Sequence, residues 1–265
     1  MSNEFLTKGV NIAKLPSDYG STGFKMFKGS TLNNVEIAYE TWGELSINKD
    51  NVILLFTGLS PSSHAASSDI NQDEGWWEYM IGPNKPIDTK KYFIVCINSL
   101  GSCFGSTSPA SVNKSTDRVY GLSFPELSIE DIAKAGHDTL LTLGIDHVHT
   151  VIGPSMGGMT ALAYALLYPT SLSNLIVISA AARALPFTIS IRSLQRELIR
   201  SDPLWNQGDY CKQSAPLNGM KLARKLGLMS YRAANEWRER FNRARVPKNE
   251  TKKMFDIEFE VENYL

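Results

Sequence analysis

A doubly wound α/β fold is what this sequence predicts, and three observations carry that expectation. Short β-branched runs recur along the chain, amphipathic helical patterns separate them, and one run empties into the Gly-rich turn "GPSMGG" (153–158) around a single serine. "NVEIAYETWG" (34–43), "NVILLFTGL" (51–59), "YFIVCINSL" (92–100), "VHTVIGPS" (148–155) and "NLIVISAA" (174–181) read as strands bounded by Gly, Pro, Asn or Ser. The last four are nearly continuous apolar runs, as expected of strands buried on both faces of a parallel sheet.

The helices follow in order. Ser128 with Asp131 makes a capping-box start for "IEDIAKAGHDTLLTLG", which ends at Gly144 and turns Ile132, Ala135, Leu140 and Leu143 toward the sheet. "GGMTALAYALLYP" begins on the glycines after Ser155 and stops at Pro169. After about Pro186 the pattern changes to "SLQRELIRSDP", "NGMKLARKLGLMSYR" and "ANEWRERFNRAR", amphipathic helices with no strand between them. They suit a helical lid over the C-terminal edge of the sheet. "MFDIEFEVENYL" then alternates weakly. The expected organisation is a core over 1–186, a lid over 187–247 and the start of a return to the core over 248–265.

Composition narrows the function classes. The chain has 265 residues, 43% of them hydrophobic, with Lys+Arg and Asp+Glu both at 27. That neutrality argues against nucleic acid or an anionic membrane as the main partner. No apolar stretch approaches the roughly eighteen residues of a membrane span. "MSNEFLTKGV" has neither a secretory apolar region nor an Arg-rich amphipathic pattern, so a cytoplasmic location is expected. Cys96, Cys103 and Cys211 lack metal-ligand spacing and suit free thiols in a reducing compartment; no metal site is expected.

Gly153-Pro154-Ser155-Met156-Gly157 fits G-x-S-x-G, with a buried strand before it and a helix after it. In that context Ser155 is a candidate nucleophile. The Met156 N–H is one candidate oxyanion donor, and the Leu59 N–H, in the "TGLSPSSHA" loop (57–65), is the second. The base is harder to find. A nucleophile of this kind is followed in the chain by an Asp or Glu and then a His, yet His64, His137, His147 and His149 all precede Ser155. His137 lies within a predicted helix, and His147 and His149 sit at the far end of the nucleophile strand. His64, in the loop, could touch substrate but is not where the usual base comes from.

These residues resemble the α/β-hydrolase-fold homoserine and serine O-acyltransferases, and the serine O-succinyltransferase branch in particular. "YETWGEL", "TGLSPSSHAAS", "GWWEYMIGPNKPIDT", "INSLGSCFGSTSPAS", "FPELSIEDIA", "GPSMGGMTALA", "LPFTISIRSLQRELIRSDPLWNQGDY", "GMKLARKLG" and "FEVENYL" carry the likeness over nearly the whole chain. The branch rests mainly on Gly58-Leu59-Ser60-Pro61, where homoserine acetyltransferases look like "ALTG".

The resemblance implies ping-pong transfer from an acyl-CoA, through an acyl-Ser155 enzyme, to an amino-acid hydroxyl, with no bound cofactor. It also implies substrate-binding roles for Gly58, Ser60 and Pro61, for Arg224 on the amino acid, and for Arg192 in the choice of acyl group. A guanidinium suits a carboxylate at either place. Relatives resemble homodimers joined through lid helices. Relatives also continue past the equivalent of "FEVENYL" with strands that deliver the catalytic Asp and His. The expectation is therefore a truncated chain, lacking the C-terminal strands and inactive alone. L-serine acylation for cysteine synthesis leads, with homoserine acylation for methionine synthesis, an esterase, and a non-catalytic fragment or half of a split enzyme as alternatives.

Overall fold

The computed structural model describes residues 6–16, 23–247 and 256–265. Its contacts divide the chain into two units, Met1–Ala182 and Arg183–Leu265.

The first unit is built on a mixed six-stranded sheet: β1 (Asn11–Lys14), β2 (Glu36–Trp42), β3 (Val52–Phe56), β4 (Phe93–Ile97), β5 (Val148–Pro154) and β6 (Leu172–Ile178). Their spatial order is β1-β2-β4-β3-β5-β6. β3, β4, β5 and β6 run parallel, while β1 and β2 are antiparallel additions on one side.

Alternate residues of the central strands feed two separate cores, because successive side chains of a strand point to opposite faces. Leu54, Phe56, Val95, Ile97 and Val151 enter one cluster. Ile53, Leu55, Ile94, Cys96 and Ile152 enter the other. Helices α1 (Ile129–Thr142) and α2 (Met156–Leu167) cover the first face, through Ile132, Ala135, Leu140, Ala161 and Tyr164. Within this unit, the second face is covered by the irregular segment between β3 and β4, whose Ala65, Ala66, Trp77, Ile81 and Ile87 fill its cluster.

The capping box expected at α1 is present: Ser128 Oγ accepts from the Asp131 N–H at 3.2 Å, and Asp131 Oδ2 accepts from the Ser128 N–H at 2.8 Å. The second carboxylate oxygen of Asp131 also accepts from Phe27 N–H at 2.9 Å, so this fully buried acid is satisfied on both sides.

One strand departs from expectation. "NLIVISAA" was placed among strands buried on both faces, but β6 is largely exposed, with Ile176 at 46%. Among the described residues it pairs only with β5, which leaves it at one side of the sheet they form.

The second unit is helical: α3 (Pro186–Arg200), α4 (Leu217–Ser230), α5 (Ala234–Phe241) and α6 (Glu260–Tyr264). Proline at the first position of α3 has no N–H to leave unpaired. The buried Asp202 carboxylate accepts from Gly219 N–H at 2.8 Å at the start of α4, and these backbone donors hold it below the usual carboxylate range. Of the segment expected to return to the core, 248–255 lie outside the described residues. The rest forms an isolated bridge between Arg245 and Phe259, then the short helix α6.

Candidate active site

β5 ends at Pro154 and α2 begins at Met156, so Ser155 alone makes the turn between them, at φ 56°, ψ −120°. A side-chain-bearing residue held in so sparsely populated a region costs about 1–3 kcal/mol, supplied by the surroundings. Here the Ser155 N–H donates to Ile178 O at 2.9 Å, and the Ser155 carbonyl accepts from Gly158 N–H at 3.0 Å. Two neighbours must be glycine for the turn to close. A Cβ on Gly157 would collide with the Phe56 carbonyl, and one on Gly153 with the Gly157 carbonyl. Ser155 is left exposed at the head of α2. As the first residue of that helix, Met156 has an N–H with no intrahelical acceptor, pointing the helix's positive end toward the hydroxyl.

The loop after β3 lies against this turn. A Cβ on Gly58 would sit 3.7 Å from the Pro154 carbonyl and 3.7 Å from Pro61 Cδ, so Gly58 and Pro61 meet at the elbow. Gly58 is buried, Ser60 is exposed, and the Leu59 side chain is 69% exposed.

What holds this loop comes from far along the chain. The Ser63 N–H donates to Asn98 Oδ1 at 2.6 Å, and Asn98 Nδ2 returns bonds to Ser63 Oγ and the Phe104 carbonyl, both at 2.9 Å. Trp76 Nε1 donates to Ser62 O at 2.9 Å, and Trp42 Nε1 to Ser67 O at 3.0 Å. The Ser67 N–H also donates to Glu78 at 2.6 Å; that bond first, then Lys85 and the Gly75 N–H, hold the Glu78 carboxyl at about 2 against the upward push of burial. Under all of these lies Glu40 of β2. Its Oε1 accepts from Thr7 Oγ1 at 2.8 Å and Ser63 Oγ at 2.9 Å, and its Oε2 meets His64 Nδ1 at 2.8 Å.

Sequence reasoning missed Glu40 and Asn98. The one available signal was a carboxylate within an otherwise apolar-rich strand, "EIAYETW".

The histidines resolve differently from one another. His64, expected as a possible substrate contact, is instead buried and engaged at both ring nitrogens, by Glu40 and by the Asp73 carbonyl at 2.8 Å. Burial is the largest influence on it and lowers its affinity for a proton. The Glu40 hydrogen bond, the Asp73 carbonyl and the two carboxylate charges together outweigh that and leave it raised. His137 stacks on Tyr168 with ring centroids 3.8 Å apart, and burial lowers it. His147 bonds the Thr170 carbonyl and Ser173, and His149 bonds Thr150 Oγ1, both at the far end of β5. None of the four rings bonds the Ser155 hydroxyl.

Arg192 and Arg224 belong to the second unit, on α3 and α4, both exposed. Gln195 couples their helices: its Oε1 accepts from Arg192 at 2.9 Å, and its Nε2 donates at 2.8 Å to the carbonyl of Ala223, one residue before Arg224. Among the described residues no group of three or more His, Cys, Asp or Glu side chains converges as a metal site. No helix among them is long and apolar enough to cross a membrane.

Comparison with known proteins sets this geometry in context. Residues 51–264 match the family model described as alpha/beta hydrolase fold. The serine O-succinyltransferase of Litchfieldella anticariensis is 55% identical over 242 residues, covering 91% of this chain and 66% of the relative, just under two thirds of its length. Among solved structures, the homoserine O-acetyltransferase from Bacillus anthracis superposes with a TM-score of 0.82 at 29% identity, over 98% of this chain and 69% of that one. Esterase E22 matches equally well, at a TM-score of 0.82 and 29% identity, over 97% and 71%.

Proposed function

Because the chain belongs to the α/β-hydrolase fold family and its relatives in sequence are serine O-succinyltransferases, we propose that it forms the nucleophile-bearing part of an L-serine O-acyltransferase. The observation that carries the reading is Ser155, exposed and strained on the turn between β5 and α2. Such a turn has one use that packing does not explain: it lifts a hydroxyl clear of the sheet at the positive end of a helix.

In the proposed reaction, Ser155 Oγ attacks the thioester carbonyl of an acyl-CoA. The oxyanion is met by the Met156 and Leu59 N–H groups, each worth about 3 kcal/mol in the transition state. The CoA thiol leaves with a proton, and the acyl-Ser155 ester is then attacked by the substrate hydroxyl. Arg224 holds the amino acid's α-carboxylate through paired charge-assisted hydrogen bonds, and Arg192 meets the terminal carboxylate of a succinyl group. Gly58, Ser60 and Pro61 shape the pocket floor beside the elbow. None of His64, His137, His147 and His149 serves as the general base, since their rings bond other groups. O-acylation converts the serine hydroxyl into a leaving group, the step cysteine synthesis needs.

The esterase reading has its own support in the equal likeness to esterase E22. Acceptor partition separates the two. With succinyl-CoA and L-serine, L-homoserine or water alone offered to the protein from its native source, O-succinyl-L-serine is the expected main product. Serine and homoserine differ by one methylene, so discrimination of about ten- to two-hundredfold is the range to look for. Hydrolysis unaffected by either amino acid would favour the esterase.

A further inference from the structure

The Glu40–His64 pair is buried, charged and outside the chemistry assigned so far. Glu40 lies on β2, 3% exposed, and His64 lies in the loop that carries Leu59. Both ring nitrogens of His64 face obligate acceptors: Nδ1 the Glu40 carboxylate and Nε2 the Asp73 carbonyl, each at 2.8 Å. A neutral imidazole has one N–H and can satisfy only one of them. The Asn71 amide, 3.4 Å from Nδ1, is the weaker neighbour. An imidazolium, with two donors, satisfies both acceptors, and in that form the ring clamps both halves of the 57–75 excursion to one strand. Glu40 adds a further bond to Ser63 within the same loop. The charged groups facing the ring are Glu40 from β2 and Asp73 from the loop's far half, and the neighbouring titratable group is the Cys96 thiol of β4, pushed up by burial and by Glu40.

Resting on the reading that the Leu59 N–H meets the oxyanion, we infer that Glu40 is a positioning residue, which holds His64 doubly protonated and so fixes the oxyanion loop against the Ser155 turn. A carboxylate on a rigid strand suits this better than a loop residue would, because its own place is set by the sheet. The sign of the pH dependence follows. A histidine raised in the folded state holds the loop fully below its ordinary value of 6.5, and the hold is lost as pH rises through the folded value.

The test uses the 265-residue protein with ¹⁵N-labelled histidine, its Glu40→Gln and His64→Gln variants, and far-UV circular dichroism as a check of folding. His64 is expected to show two protonated ring nitrogens at neutral pH and to titrate above the ordinary value of 6.5, with Glu40→Gln lowering its midpoint. Amide exchange over 58–66 is expected to rise about tenfold or more in both variants, with β5 and α2 unchanged. In the protein made in its native source, labelling of Ser155 by a fluorophosphonate is expected to fall about tenfold in Glu40→Gln and to lose its alkaline limb there. A neutral His64 at pH 7, or loop exchange unmoved by Glu40→Gln, would overturn the inference. Unreactive Ser155 in the wild-type protein from its native source, with the ring signature and loop exchange as expected, would sink the nucleophile reading and still support Glu40 as the anchor of the loop.

Discussion

At the Ser155 turn, six residues, 153–158, are set by backbone packing against the ends of β3 and β6, whereas the loop beside it, 57–75, is held by the side chains of Asn98, Trp76, Trp42, Glu78 and Glu40, from as far as 35 residues away. The two segments touch at Gly58 and Pro154 and serve one proposed site. Their difference teaches where precision comes from. Local strain fixes a hydroxyl cheaply, because a helix and a strand already define its ends. A loop that presents a backbone N–H has no such frame and needs buried side chains to supply one.

The comparison breaks most visibly at Gly157. Gly157→Ala drives a Cβ into the Phe56 carbonyl. A loss of about 3 kcal/mol in urea unfolding is expected, together with loss of Ser155 labelling. A stable, reactive Gly157→Ala protein would mean that the turn is looser than described.

The loop's counterpart is Asn98→Ala, which strips the partner from the Ser63 N–H and leaves it buried. About 2 kcal/mol is expected, with faster amide exchange confined to the loop. Exchange rising equally across β5 would show the two segments to be one unit rather than two.

Of the two segments, the loop is the one that acid reaches through Glu78. Glu78 is depressed from 4.5 to about 2, so its contribution is present above pH 4.5 and is lost as pH falls from there toward 2. Glu78→Gln should remove that dependence, measured as stability against pH; a Glu78→Gln protein that keeps the wild-type slope would place the titrating group elsewhere.

The smallest effect belongs to Leu59→Ala. The side chain is exposed and the proposed role is the backbone N–H, so stability should move by no more than about 0.5 kcal/mol and labelling hardly at all. A large loss of labelling would give the side chain a role that this account denies it.

Legibility in the sequence followed the same divide. The elbow, the strands β2 to β5 and the α1 capping box carry their signal in a few consecutive residues, and periodicity and motif spacing reach that far. The apolar composition of β6 marks it as a strand but does not say how much of it is covered, and the structure leaves it largely exposed. Glu40 and Asn98 were unreadable as anchors, since nothing local tells a buried, satisfied carboxylate or amide from a solvated one. Arg192 and Arg224 took their roles from resemblance alone, and the link that Gln195 makes between their helices came only with the structure.

The central claim is that Ser155 carries the acyl group. The most direct measurement is peptide mass mapping of the native-source protein, quenched after mixing with succinyl-CoA and again after adding L-serine. The account predicts one succinyl group on the Ser155 peptide, with free CoA released in step, and its removal by L-serine as O-succinyl-L-serine. CoA released while the Ser155 peptide stays unmodified, or a succinyl group found on another residue, would contradict it.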